Sequence, residues 1–327
     1  MKRSTTLLLS TAASAVALLM TAPSAFSQAP GGAAGASGGR GGGQRGSAAP
    51  YNYNDNTGFQ SLFDGATLNG WEGAPGMWDI KDGAIHIDTA CEHPTGTTYI
   101  YWKGGEVADF ILKFDMKGTI SVNGGMQIRS FLTEDPSAQK YPPRAGAGGP
   151  GGGRGGSGGG GRGGSGRGGG AAFGASGRGG GGRGPQVTCA TPPPPPPDRT
   201  SLLKWNMNGY QVDFDAVNQW PGNIYEQGAR GVMSTPGHAL IAEPEQPVKV
   251  TATLADKATL DSWFHKDDYN HMMVIARGHV LQTFMNDHLI MDFVDNDPNY
   301  FRASGLIGIE VESTGGYWVK NIQLKKM

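Results

Sequence analysis

From Ala145 to Gly184 the chain is almost wholly glycine, serine and arginine. A stretch of that composition buries no apolar surface and cannot offset the entropy of becoming ordered. It is expected to be a disordered insert. The Pro192–Pro197 run that follows reads as a stiff, extended spacer. A second tract, Pro30 to Ser47, is rich in glycine, alanine and arginine and reads as a linker. A chain of 327 residues could hold two domains, but with these tracts set aside only one sizeable core remains.

The first residues, Met1-Lys2-Arg3, precede an apolar run from Leu7 to Met20 and then Ala25-Phe26-Ser27. Charged, apolar and small segments in that order are those of a secretory signal, with cleavage expected near Ser27. The run is shorter than the roughly 20 residues that cross a bilayer, so no membrane span is expected. The expected organisation is a signal peptide at 1–27, a linker at 28–55 and one domain at 56–327 interrupted by a low-complexity insert at 143–198. The protein is then secreted or periplasmic. In such a compartment Cys91 and Cys189 can pair as a disulfide or stand as two separate thiols.

A formal net charge of −1 gives no global pull toward nucleic acid, and none is expected as a partner. The arginines of the insert, such as Arg154 and Arg167, decorate a solvated tether. The glycine tract has no strand before it and no helix after it, which excludes a phosphate-binding glycine loop.

Elsewhere the pattern is β. Apolar and polar residues alternate at 110–117, 125–131, 210–215, 272–276, 280–285 and 306–312, with turn residues between them. Met285-Asn286-Asp287-His288 reads as a hairpin turn. No long helical periodicity is present. The fold class expected is all-β, an antiparallel β-sandwich or jelly roll.

Successive strand side chains point to opposite faces, and three segments divide alike. Tyr210, Val212 and Phe214 oppose Gln211, Asp213 and Asp215. Met126 and Ile128 oppose Gln127 and Arg129, and Ile307, Ile309 and Val311 oppose Glu310 and Glu312. If these polar faces share one concave sheet, they line a groove suited to sugar hydroxyls. The alternative is the ordinary solvent-facing side of an antiparallel sheet. Carboxylates two residues apart, Asp213 and Asp215, repel and call for a metal, an arginine or a shared proton.

Several blocks in order resemble the 3-keto-disaccharide hydrolase family. They begin with Gly58-Phe59-Gln60-Ser61-Leu62-Phe63-Asp64-Gly65, Leu68-Asn69-Gly70-Trp71 and Trp78 to Ile85. Next come Asp109 to Leu112, Asn123-Gly124-Gly125-Met126-Gln127-Ile128-Arg129, Asn208 to Asp213 with Ile224-Tyr225, Gly305 to Glu310 and Trp318 to Ile322. The resemblance spans nearly all of the non-repetitive chain. It implies a concanavalin-like jelly roll and, as substrate, glycosides whose C3 hydroxyl has been oxidised to a ketone. Gln211, Asp213 and Glu310 stand where the family has Glu, Gln and Gln, so acid and amide positions are exchanged.

A C3 ketone makes the C2 proton acidic, so cleavage needs a base, an acid for the leaving group and a stabiliser for the enolate oxygen. Asp213 is the candidate base, with Asp215 or Glu310 as second carboxylate. The candidates for the enolate are Arg129 or a divalent metal held by Asp213 and Asp215; no cofactor is otherwise called for. Gln211, Gln127, Tyr225 and His279 are candidates for sugar contact. A non-catalytic, lectin-like module of laminin-G type is the other function class that the same sandwich would suit.

Overall fold

The computed structural model describes residues 52–135 and 187–327. The expected signal peptide, nearly all of the expected linker and most of the insert lie outside the described residues.

Among the described residues, seventeen strands form two sheets. In chain order these are β1 (Gln60–Ser61), β2 (Trp71–Gly73), β3 (Asp79–Lys81), β4 (Ala84–Asp88), β5 (Thr98–Trp102), β6 (Phe110–Gly118), β7 (Asn123–Leu132) and β8 (Met207–Asp215). They continue with β9 (Ile224–Gln227), β10 (Gly231–Val232), β11 (His238–Ala242), β12 (Lys249–Thr253), β13 (Asn270–Arg277), β14 (Val280–Met285), β15 (His288–Asp295), β16 (Leu306–Glu312) and β17 (Gly316–Lys326). One short helix, α1 (Lys257–Trp263), and a 3-10 turn at Arg199–Trp205 complete the described elements.

The larger sheet runs β12-β11-β15-β14-β13-β6-β17-β4-β3, with β1 also on β17, and the smaller runs β10-β9-β8-β7-β16-β5-β2. This is the jelly-roll sandwich expected from the alternation. One pair departs from the antiparallel expectation: β11 lies parallel to β15. The long connection from β11 to β15, through β12 to β14, permits it.

The core lies between the sheets. Phe110, Leu112, Phe114 and Met116 of β6 belong to one buried cluster with Met126 and Ile128 of β7, Tyr210, Val212 and Phe214 of β8, and Ile307, Ile309 and Val311 of β16. Each such side chain contributes roughly 1.5–3 kcal/mol on burial. That burial fixes register, because a one-residue slip would turn every polar residue of β7, β8 and β16 into the core. At the Asn286-Asp287 turn both residues have positive φ, 49° and 68°, as a tight β14–β15 hairpin requires.

The docked chain begins before the expected domain start at Asn56. The buried Lys113 ammonium donates to the carbonyls of Tyr53 and Asp55, and Tyr53 donates to Asp115. This ties the segment across β6.

Cys91 and Cys189 form a disulfide, with Cα atoms 5.5 Å apart and a separation of 98 positions in sequence. The bridge joins the β4–β5 connection to the chain just after the glycine-rich insert. A closed loop of that length restricts the unfolded chain strongly. Replacing both cysteines by serine is therefore expected to cost about 2–5 kcal/mol in urea unfolding. A loss below about 1 kcal/mol would contradict that role.

Candidate active site

The three segments singled out for their divided faces, β8, β7 and β16, are consecutive in the smaller sheet. Their apolar sides enter the core, and their polar sides share the opposite face. Strand register sets two rows on that face. One row carries Tyr225, Gln211, Gln127 and Gly308; the next carries Asp213, Gly125, Glu310 and Tyr99.

Gly125 separates Asp213 from Glu310, whose backbones lie two strand spacings apart, about 10 Å. A Cβ at Gly125 would come within 2.4 Å of the Val212 carbonyl and 2.8 Å of Gln211 Cγ. Glycine is required here by close approach: the Gln211 side chain lies over it on its way to Glu310.

The amides form a directed chain. The Ser130 hydroxyl lies 2.8 Å from Gln127 Oε1, Gln127 Nε2 donates to Gln211 Oε1 at 2.5 Å, and Gln211 Nε2 donates to Glu310 Oε2 at 3.2 Å. Asn223 Nδ2 lies 3.4 Å from Asp213 Oδ2. The centre of the face is closely packed, with Asp213 6% and Glu310 2% exposed, inside a half-buried rim of Tyr225, Tyr101, Asn123 and Glu312.

Burial pushes both carboxyl groups well above the usual carboxylate range. For Asp213 the carboxylates of Glu312 and Asp215 add to the effect; for Glu310 those of Glu312 and Asp213 do. Among the described residues neither forms a salt bridge. Two buried carboxyl groups with no cation beside them resist ionising, and a charge on one opposes a charge on the other. One member can then accept a proton while the other gives one.

Asp213, Glu310, Gln211, Gln127 and Tyr225 are thus brought together, and three other predicted residues are not. Strict alternation would put Arg129 beside Gln127. A bulge between Ile128 and Phe131, with φ of 44° at Arg129, breaks it. The Arg129 guanidinium instead donates to the carbonyls of Ala108, Gly278 and Arg302 and pairs with Asp109 at 2.9 Å. It is 0% exposed, held at the edge of the sandwich.

Asp215 spends both carboxylate oxygens on the backbone N–H groups of Val217, Gln219 and Trp220, closing the loop to β9. It therefore does not fit the role of shared metal ligand with Asp213. Among the described residues, the group of three metal-type side chains is Asp79, His86 and Glu92. Asp79 and His86 lie on β3 and β4 of the other sheet. His279 bonds the Asp295 carbonyl at 2.5 Å and stacks on Phe301, away from the carboxyl pair.

Tyr99 and Asn223 belong to the site and escaped the sequence reading. Tyr99 sits in the run Thr98-Tyr99-Ile100-Tyr101-Trp102, which shows no apolar–polar alternation. Such a run signals a strand covered on both sides.

Residues 58–148 and 196–325, more than half of the chain, match the 3-keto-alpha-glucoside-1,2-lyase-like domain. No curated protein matches the sequence. Similar solved structures include a carbohydrate-binding module, CBM66, from Bacillus subtilis, at 12% identity, TM-score 0.37, covering 79% of this chain and 96% of that one. A candidate glycosyl hydrolase from Parabacteroides distasonis shows 11% identity and TM-score 0.41 over 83% of this chain and 94% of its own. A Bacillus subtilis protein with a galectin-like fold shows 10% identity and TM-score 0.42 over 79% and 90%.

The raised carboxyl pKa values carry a consequence for stability. The native pair keeps protons at pH values where the unfolded chain has lost them. Its contribution is full below the unfolded range near pH 4 and is lost as pH rises through the native values. The melting temperature of wild type is expected to fall between pH 5 and pH 9, with a shallower slope in Asp213→Asn and Glu310→Gln. Equal slopes in all three would show that the pair does not retain protons.

Proposed function

We propose that this chain, which belongs to the 3-keto-alpha-glucoside-1,2-lyase-like family, cleaves the glycosidic bond of glycosides oxidised at C3. The observation that carries the reading is the placement of two buried carboxyl groups, Asp213 and Glu310, on either side of Gly125 in one row of the sheet. An ordinary glycosidase places an acid opposite a nucleophile or base across the glycosidic bond. A 3-ketone moves the problem to C2, where one base suffices to begin.

In this reading Asp213 or Glu310 removes the C2 proton, and the C2–H electrons move into the C2–C3 bond as the ketone oxygen becomes an enolate. When the enolate collapses, the C1–O bond breaks and the departing oxygen takes a proton from the neutral carboxyl group. The product is a 2-hydroxy enone, and addition of water at C1 completes net hydrolysis. Gln211 is suited to hold a hydroxyl, with the buried Gln127 amide orienting it from behind, and the Tyr225 ring to flank the sugar. Secretion, expected from the N-terminal sequence, is part of the proposal; an oxidising compartment would preserve the Cys91–Cys189 bridge.

Purified protein is expected to release the aglycone from a 3-keto-α-glucoside and leave the unoxidised glucoside intact, as followed by NMR. Asp213→Asn is expected to lose roughly 10²–10⁴-fold in turnover. Binding of the sugar without cleavage would contradict this reading and favour the lectin-like alternative.

A further inference from the structure

With Arg129 withdrawn into the edge of the sandwich, the enolate oxygen needs another stabiliser. The face carrying Asp213 and Glu310 supplies one. Tyr99 lies on β5 directly opposite Glu310, which extends the row Asp213–Gly125–Glu310 by one strand. Its neighbour Ile100 enters the core cluster, so alternation turns Tyr99 to the carboxyl face. Tyr99 is 2% exposed yet belongs to neither hydrophobic core cluster.

We propose, resting on the function above, that Tyr99 is a catalytic residue whose phenol donates a hydrogen bond to the enolate oxygen formed at C3. A donor to a developing oxyanion must keep its proton throughout the reaction. Burial raises the Tyr99 phenol well above its ordinary value, and the carboxylates of Glu310 and Glu312 and the Tyr225 phenol add to the effect. The phenol therefore stays neutral and remains a donor at working pH.

The charge balance is also favourable. In the proposed reaction the Asp213/Glu310 pair starts with one carboxylate, the base, and one neutral carboxyl group, the acid. When one member takes the C2 proton, the pair becomes neutral and the charge moves to the C3 oxygen. No second negative charge is created in the packed centre. A neutral donor therefore suffices, with no cation required. An oxyanion in a water-poor site depends strongly on such a preorganised donor.

The test is Tyr99→Phe, which keeps the ring and removes only the hydroxyl. Turnover of a 3-keto-α-glucoside is expected to fall about 10²–10³-fold, with KM changed little and the thermal melt preserved. Wild-type turnover is expected to survive a chelator. In parallel, exchange of the C2 proton of free 3-keto-glucose in D2O reports enolate formation without any bond cleavage. Exchange that is fast in wild type and lost in Tyr99→Phe supports the role. Equal exchange in both proteins, or none in either, overturns it. Exchange without cleavage of the glycoside would sink the bond-breaking reading while leaving the Tyr99 assignment standing.

Discussion

Two carboxyl groups packed on one sheet face, with no cation paired to them among the described residues, resist being ionised together. The arrangement of Asp213 and Glu310 follows from that constraint, and so does the chemistry available to them. Burial is the main cause of the raised values of both groups, and nearby carboxylates add to it. Natural chains seldom retain such a pair for stability, since removing charge from a packed site more often helps than harms. The raised proton affinity of the native pair is the property to which a function can be attached.

The fold is what makes that position tenable. The apolar sides of β7, β8 and β16 are locked in one core cluster, so their polar sides have nowhere to slip. Gly125 lets the Gln211 side chain lie where a Cβ would stand, and the relay from Ser130 through Gln127 and Gln211 points its donors toward Glu310. The relay places an acceptor at its end without neutralising it. At one edge of the same sheet the loop closed by Asp215 holds Asn223 against Asp213, so Asp215 acts on the site through backbone placement.

Much of this was legible in the sequence. Period-two alternation exposed the sandwich, the hairpin at Asn286-Asp287, and which residues of β7, β8 and β16 face away from the core. That the three strands are neighbours in one sheet was not legible, because pairing between distant segments leaves no local trace. Arg129 was misplaced because alternation fails at a bulge, and nothing in Ile128-Arg129-Ser130 announces positive φ. Asp215 has the same residue type and spacing as a catalytic partner, yet the turn that follows captures it. Tyr99 was hidden by its strand's unbroken apolar and aromatic run, a pattern that is silent about which face is chemical. Two cysteines 98 residues apart were consistent with a bridge, but only the fold brings them within reach.

The central claim is that the buried pair of Asp213 and Glu310 retains a proton at neutral pH. Infrared difference spectroscopy of the full chain, titrated from pH 4 to pH 9, tests it through the C=O stretch of a protonated carboxyl group. The account predicts a protonated-carboxyl band that persists at pH 7 and disappears in the Asp213→Asn, Glu310→Gln double variant. Complete loss of that band by pH 5 in wild type, or its survival unchanged in the double variant, would contradict the account.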